Sequence, residues 1–182
     1  MIVNLTGPIA SGKSTLCKWF IARHPEWKHI DIAVARSNTL SENDAWIWME
    51  DQVKQADECI VETTGVLHRL ADLWRNVANK TAIIYTIKLV APVSLCKQRA
   101  KLRNSYSSRY SLDEGYAIDM EERLHDILPA NLVVDITADM GILDMVEEIE
   151  QYILKARFCS GYIDSKYVIG YNSLKKEEEN VA

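Results

Sequence analysis

The feature that most constrains this chain is a glycine-bounded loop set between a strand and a helix. Gly7-Pro8-Ile9-Ala10-Ser11-Gly12-Lys13-Ser14 satisfies the spacing G-x-x-x-x-G-K-[ST] in full. It follows the apolar run Ile2 to Leu5 and enters Thr15-Leu16-Cys17-Lys18-Trp19-Phe20, whose apolar positions are helically spaced. A strand that turns directly into a helix starts a βαβ unit, and the chain keeps alternating short apolar runs with longer amphipathic segments. The expected strands are Ile2 to Leu5, His29 to Ala33, Cys59 to Glu62, Ala82 to Leu89, and Leu132 to Ile136. Helices are expected over Ser14 to Arg23, Glu42 to Ala56, His68 to Ala78, Val93 to Arg103, Leu112 to Ile127, and Ile142 to Arg157.

Several helix boundaries are marked by their own chemistry. Ser41 before Asp44, and Ser111 before Glu114, match the arrangement in which hydroxyl and carboxylate satisfy free backbone donors at a helix start. Pro25 closes the first helix, Pro92 stands at a strand-to-helix junction, and Pro129 lies just past a helix end. Beyond Phe158 the alternation fades. This divides the chain into a domain over 1–157 and an extension over 158–182, whose end (Lys175 to Asn180, KKEEEN) reads as a solvated tail. Within the extension, Tyr162, Ile163, Tyr167, Val168, Ile169 and Tyr171 are apolar enough to pack on the domain or a partner.

At 182 residues, 48% hydrophobic, the chain can bury one sizeable core. The formal charge of -5 gives no general attraction to a polyanion. Cys17, Cys59, Cys96 and Cys159 are widely spaced without a C-x-x-C pair, and no signal-peptide layout opens the chain, so a reduced, cytoplasmic protein is expected. No apolar stretch approaches the roughly 18 residues that span a bilayer.

The loop's residue types suit phosphate. Glycines allow close backbone approach, loop N–H groups point inward, and the following helix adds its positive N-terminal end. Gly7, Ala10, Ser11, Gly12, Lys13, Ser14 and Thr15 are the expected nucleotide-binding residues. Lys13 supplies a mobile charge to the β- and γ-phosphates, and the Ser14 hydroxyl reaches magnesium, so ATP and Mg2+ are the expected cofactors.

On these residues the chain resembles the small P-loop kinases, the group of shikimate kinases, nucleoside monophosphate kinases and polynucleotide kinases. The resemblance spans about Met1 to Arg157 and is strongest at Gly7 to Ser14. It implies a three-layer α/β fold, a five-stranded parallel sheet in the order 2-3-1-4-5, the acceptor over the second and third strands, and a lid after the fourth. It also implies a role for Asp31: related hydroxyl kinases carry an aspartate at the second strand that takes up or orients the acceptor proton. The alternative is that Asp31 satisfies nearby backbone donors at a strand end.

Cys59-Ile60-Val61-Glu62-Thr63-Thr64-Gly65 ends an apolar strand in polar side chains at the carboxyl edge of the sheet, where ligands bind. Glu62 is a candidate for a magnesium-bound water or the acceptor, and Thr63 for the acceptor. Many relatives place aspartate at this position. Thr63, Thr64 and Gly65 could instead cap the next helix and serve its turn. Lys97, Arg99, Lys101, Arg103 and Arg109 crowd the segment after the fourth strand. The segment resembles the short lid of such kinases, whose arginines balance charge on the transferring phosphate; Arg99 and Arg103, four apart, can share one helical face, although basic residues on a helix also serve simply as a solvated face. Arg36 and Arg123 are further candidates for acceptor or phosphate contact. Trp46 and Trp48 lie near the expected acceptor, where burial is the commoner fate. His24, His29, His68 and His125 show no metal-ligand spacing and are assigned no chemistry.

The expected activity is transfer of the γ-phosphoryl of a nucleoside triphosphate to a small acceptor: a nucleoside, a nucleotide or another hydroxyl compound. One alternative is a polynucleotide kinase, which Asp31 permits and the net charge disfavours. The other is a nucleotide-dependent switch that signals through the tyrosine-containing extension; no N-K-x-D base-recognition motif is present.

Overall fold

The computed structural model describes residues 1–63, 67–77, 84–106, 130–137 and 141–159. Its elements follow in the order β1 (Ile2–Thr6), α1 (Lys13–Arg23), β2 (Lys28–Asp31), α2 (Ile32–Asn38), α3 (Glu42–Gln55), β3 (Cys59–Glu62), α4 (Leu67–Val77), β4 (Ile84–Val90), α5 (Val93–Tyr106), β5 (Leu132–Asp135) and α6 (Ile142–Cys159). The strands form one parallel sheet in the order β2-β3-β1-β4-β5. This is the expected topology.

Both faces of the sheet are covered, and this explains why β1, β3, β4 and β5 are mostly apolar, whereas the edge strand β2 (KHID) is not. On one face Val3, Leu5, Ile60, Ile87 and Leu89 pack against Leu16 and Phe20 of α1 and Val146, Ile149 and Ile153 of α6. On the other, Ile2, Ile30, Cys59 and Val61 meet Met49 and Val53 of α3 and Leu70 and Trp74 of α4. Trp46 is buried and donates its indole N–H to Glu42 (2.8 Å), so it belongs to that second layer. α1 and α6 are also tied by Glu150, which accepts from Arg23 (2.8 Å) and pairs with His24 (3.0 Å).

The Ser41 cap forms as expected: its hydroxyl accepts from the Asp44 N–H (3.1 Å) at the start of α3. One expectation requires correction. The second strand was expected to reach Ala33, yet it ends at Asp31, and Ile32 opens a helix that the β-branched run had hidden. The Asp31 carboxylate caps that helix through the Ala33 N–H (2.8 Å), and burial of Ile32 and Ala35 at three-residue spacing favours it over strand. The sixth helix continues past Arg157 to Cys159. The expected helix from Leu112 to Ile127, the Ser111 and Glu114 cap, Pro129 and nearly all of the extension lie outside the described residues.

Candidate active site

Tight packing against the sheet fixes the loop between β1 and α1. Gly7 has φ +156°, and a Cβ there would lie 2.9 Å from the Leu89 carbonyl oxygen of β4 and 3.2 Å from Ser11 Oγ. No larger residue fits. Gly12 takes φ +105° at the helix start, and Ala10, though not a glycine, is held at φ +64°. Strained backbone of this kind marks ligand loops. Because Gly12 offers no side-chain cap, the first N–H groups of α1 have no capping side chain and suit an anion.

Lys13 folds back over the loop, its ammonium donating to the carbonyls of Gly7 (2.8 Å) and Pro8 (2.7 Å). Burial pulls its pKa down, against the opposing pull of Glu62. Ser14 turns the other way and donates its hydroxyl to Glu62 Oε1 (2.6 Å). Glu62, itself buried, pairs through Oε2 with His29 Nε2 (2.9 Å). Burial pushes the Glu62 carboxyl up, but the bonds from His29 and Ser14 and the charge of Lys13 together hold it below its ordinary value. Ser11 is fully buried, and its hydroxyl has no hydrogen-bond partner among the described residues. Thr15 is exposed on the first turn of α1.

β2 and β3 pair in register, with Asp31 opposite Glu62, which sets two carboxylates side by side at the carboxyl edge of the sheet. Burial and the neighbouring Glu62 raise the Asp31 pKa above 3.8. Thr63 is buried and donates its N–H to the Leu5 carbonyl (3.1 Å). From the far side, Arg99 of α5 reaches the loop and donates to the Ser11 carbonyl (3.1 Å). The chain thus brings together Lys13, Ser14, Asp31, Glu62 and Arg99. Arg36 is engaged elsewhere: its Nε and Nη2 donate to the two carboxylate oxygens of Glu42 (2.8 and 2.6 Å) on the surface. The side chain of Arg103, and all of Thr64, Gly65, Arg109 and Arg123, lie outside the described residues.

Sequence reasoning missed His29. It stands two residues before Asp31 on the same strand, hence on the same face, and that period was the available signal.

The donors suit the groups a kinase loop would hold. Ser14 and Glu62 offer a hydroxyl and a carboxylate in contact, an all-oxygen pair fit for a hard divalent cation, beside a loop fit for phosphates. Fold and site together define a P-loop kinase. The family model for dephospho-CoA kinase matches residues 1–152, and the chain belongs to that family.

The comparison with curated proteins gives no match. Among solved structures, the tunicamycin resistance protein of Deinococcus radiodurans matches with TM-score 0.60 at 15% identity, over 84% of this chain and 94% of that one. Shikimate kinase from Bacteroides thetaiotaomicron gives TM-score 0.59 at 15% identity, over 84% and 98%. A gluconokinase from Sinorhizobium meliloti 1021 gives 0.53 at 11%, over 80% and 87%. At such identities the likeness concerns the fold.

Proposed function

We propose that this kinase transfers the γ-phosphoryl of magnesium-bound ATP to a hydroxyl of a small acceptor, and that the family's own acceptor, dephospho-CoA, is the first compound to test. The observation that carries the reading is Asp31. Its Oδ1 is engaged by the Ala33 N–H, while Oδ2 has no hydrogen-bond partner among the described residues. A half-buried carboxylate of raised pKa beside the phosphate loop suits a group that must receive or orient a hydroxyl proton. An acceptor that already carried the attacking phosphate oxygen would need no such base.

The roles of the other residues follow from their positions. The loop from Gly7 to Thr15 cradles the phosphates through its N–H groups, and Lys13 exchanges the Gly7 and Pro8 carbonyls for phosphate oxygens. Ser14 and Glu62 would hold magnesium, which would supply positive charge against the phosphates. Arg99, already fastened to Ser11, adds positive charge on the α5 side, and Arg103 lies one turn further along the same helix. Thr63, and Arg36 once released from Glu42, are the remaining acceptor contacts. The catalytic unit lies within 1–157, a division supported by a family match that ends at residue 152.

The test is an ADP-release assay with dephospho-CoA, nucleosides, nucleotides, sugars and a single-stranded oligonucleotide, each compared with ATP alone. Acceptor-dependent release with a small hydroxyl compound supports the reading. Release that only the oligonucleotide stimulates would make the protein a polynucleotide kinase, and release indifferent to every acceptor would sink the transferase role.

A further inference from the structure

Beside the magnesium-serving pair lie two donors that this mechanism does not use, Cys17 and His29, close to Glu62, which it does. Cys17 sits one turn into α1 from Ser14 and is fully buried, with a free thiol. Its Sγ, a ring nitrogen of His29 and a carboxylate oxygen of Glu62 all lie within 4.8 Å of one another. The three come from three separate elements, α1, β2 and β3, already held in place by the core. Sulfur, imidazole and carboxylate form the ligand chemistry of zinc, while magnesium takes oxygen.

We propose that Cys17, His29 and Glu62 form a site for a borderline-soft divalent ion such as zinc, and that its occupation inhibits the kinase by withdrawing Glu62 from magnesium. The distances permit it. Zinc bonds of the usual lengths place tetrahedral ligands about 3.3–3.8 Å apart. His29 and Glu62 are already closer than this at 2.9 Å, and the remaining gaps close by rotamer adjustments of about 1 Å. Binding breaks the Cys17 S–H bond; the proton passes to solvent, and the thiolate pair goes to the metal. The fourth position is left to water. His29, whose side chain is 21% exposed, gives the ion a way in from the acceptor side.

The binding itself stands apart from the proposed function. Only the inhibition rests on the reading that Glu62 serves magnesium, so the two are measured separately. The metal-free full chain is titrated with cobalt(II) as a spectroscopic stand-in for zinc, without nucleotide. The expected result is a thiolate-to-cobalt charge-transfer band that saturates at one ion per chain, is displaced by zinc and not by magnesium, and is absent in Cys17→Ser. Cys96→Ser, altered at another buried cysteine, keeps the band. Should Cys17→Ser fail to fold, His29→Gln replaces it and must bind cobalt at least about tenfold more weakly, as expected on losing a ligand contact.

In the ADP-release assay, zinc at fixed magnesium should inhibit the native chain, and Cys17→Ser should need about tenfold more zinc or beyond. A native chain without the band, a band that survives Cys17→Ser, or unchanged affinity in His29→Gln overturns the site. A normal band with zinc-indifferent turnover overturns the inhibition and leaves the binding standing.

Discussion

Asp31→Asn separates what Asp31 does for the fold from what it does for chemistry. The carboxylate caps α2 through the Ala33 N–H at 2.8 Å, and asparagine caps as well as aspartate. The cap therefore survives in Asp31→Asn, whereas Asp31→Ala loses it, at about 1 kcal/mol. That is about 2–4 °C in Tm for a chain of this size. Charge works in the same direction. Because burial and Glu62 raise the folded-state pKa of Asp31 above 3.8, its ionised form is less favourable in the folded chain than in the unfolded one. That penalty is full above the folded pKa and disappears as pH falls below 3.8, where both states hold the proton. At neutral pH, Asp31→Asn should melt at or above the wild-type temperature, with the advantage fading in acid.

Catalysis should respond oppositely. Removing the basic oxygen lowers transfer to a hydroxyl acceptor by about 10²–10⁴-fold, the usual range for general base catalysis. This corresponds to about 2.7–5.5 kcal/mol of barrier. ATP affinity, carried by Gly7 to Thr15, should not move. The assays are acceptor-dependent ADP release, ATP binding and thermal melts of wild type, Asp31→Asn and Asp31→Ala. The base assignment would be refuted by near-native turnover in Asp31→Asn with the fold intact, and suspicion would pass to Glu62. A drop in Tm equal to that of Asp31→Ala would refute the capping argument.

Lys13→Met should cut turnover by about a hundredfold or more, as for loss of other charge-stabilising groups, with no fall in Tm, since burial already disfavours the ammonium; a melt several degrees lower would make Lys13 structural. Gly7→Ala should destabilise by about 1–3 kcal/mol, because φ +156° strains the residue and its Cβ would meet an immobile strand carbonyl at 2.9 Å; an unchanged chemical-denaturation midpoint would contradict this. Arg99→Ala should lower kcat more than it raises the KM for ATP, the mark of charge that matters as the phosphate departs; a pure KM effect would make Arg99 a binding residue.

The fold was legible because its determinants are local. Four of the five strands are mostly apolar runs, many loop boundaries carry Gly, Pro or Ser, and the parallel direction follows from the βαβ repeat, while the strand order comes from the family resemblance. α2 escaped because Ile32 and Val34 have strand propensity, while the forces that make it a helix are the Asp31 cap and the burial of Ile32 and Ala35, the second of which only the packed structure supplies. The site divides likewise. The phosphate loop is contiguous in sequence and readable, whereas the Ser14–Glu62–His29 chain joins residues from three elements through strand register. Nothing in the spacing of His29 and Glu62 announces that contact; it depends on β2 lying beside β3.

That register also shapes the resting state. Lys13 is held by two loop carbonyls, Ser14 by Glu62, and Arg99 by Ser11, so these three side chains already have partners inside the protein. Ser11 Oγ is the exception, buried beneath the loop without a partner among the described residues. On the proposed function, nucleotide binding would exchange internal hydrogen bonds for external ones, and its net gain would be smaller than a count of new contacts suggests. The compensation is geometric: the ammonium waits within a side-chain rotation of the phosphates. Glu62 carries the greater strain of roles, since it must accept from Ser14, pair with His29 and keep its charge next to Asp31. An uncharged residue at position 62 would relieve Asp31 and lower its pKa. The proposed base would thereby be weakened without being touched, so Glu62→Gln should reduce transfer through Asp31 as well as through magnesium, and its losses should not add to those of Asp31→Asn.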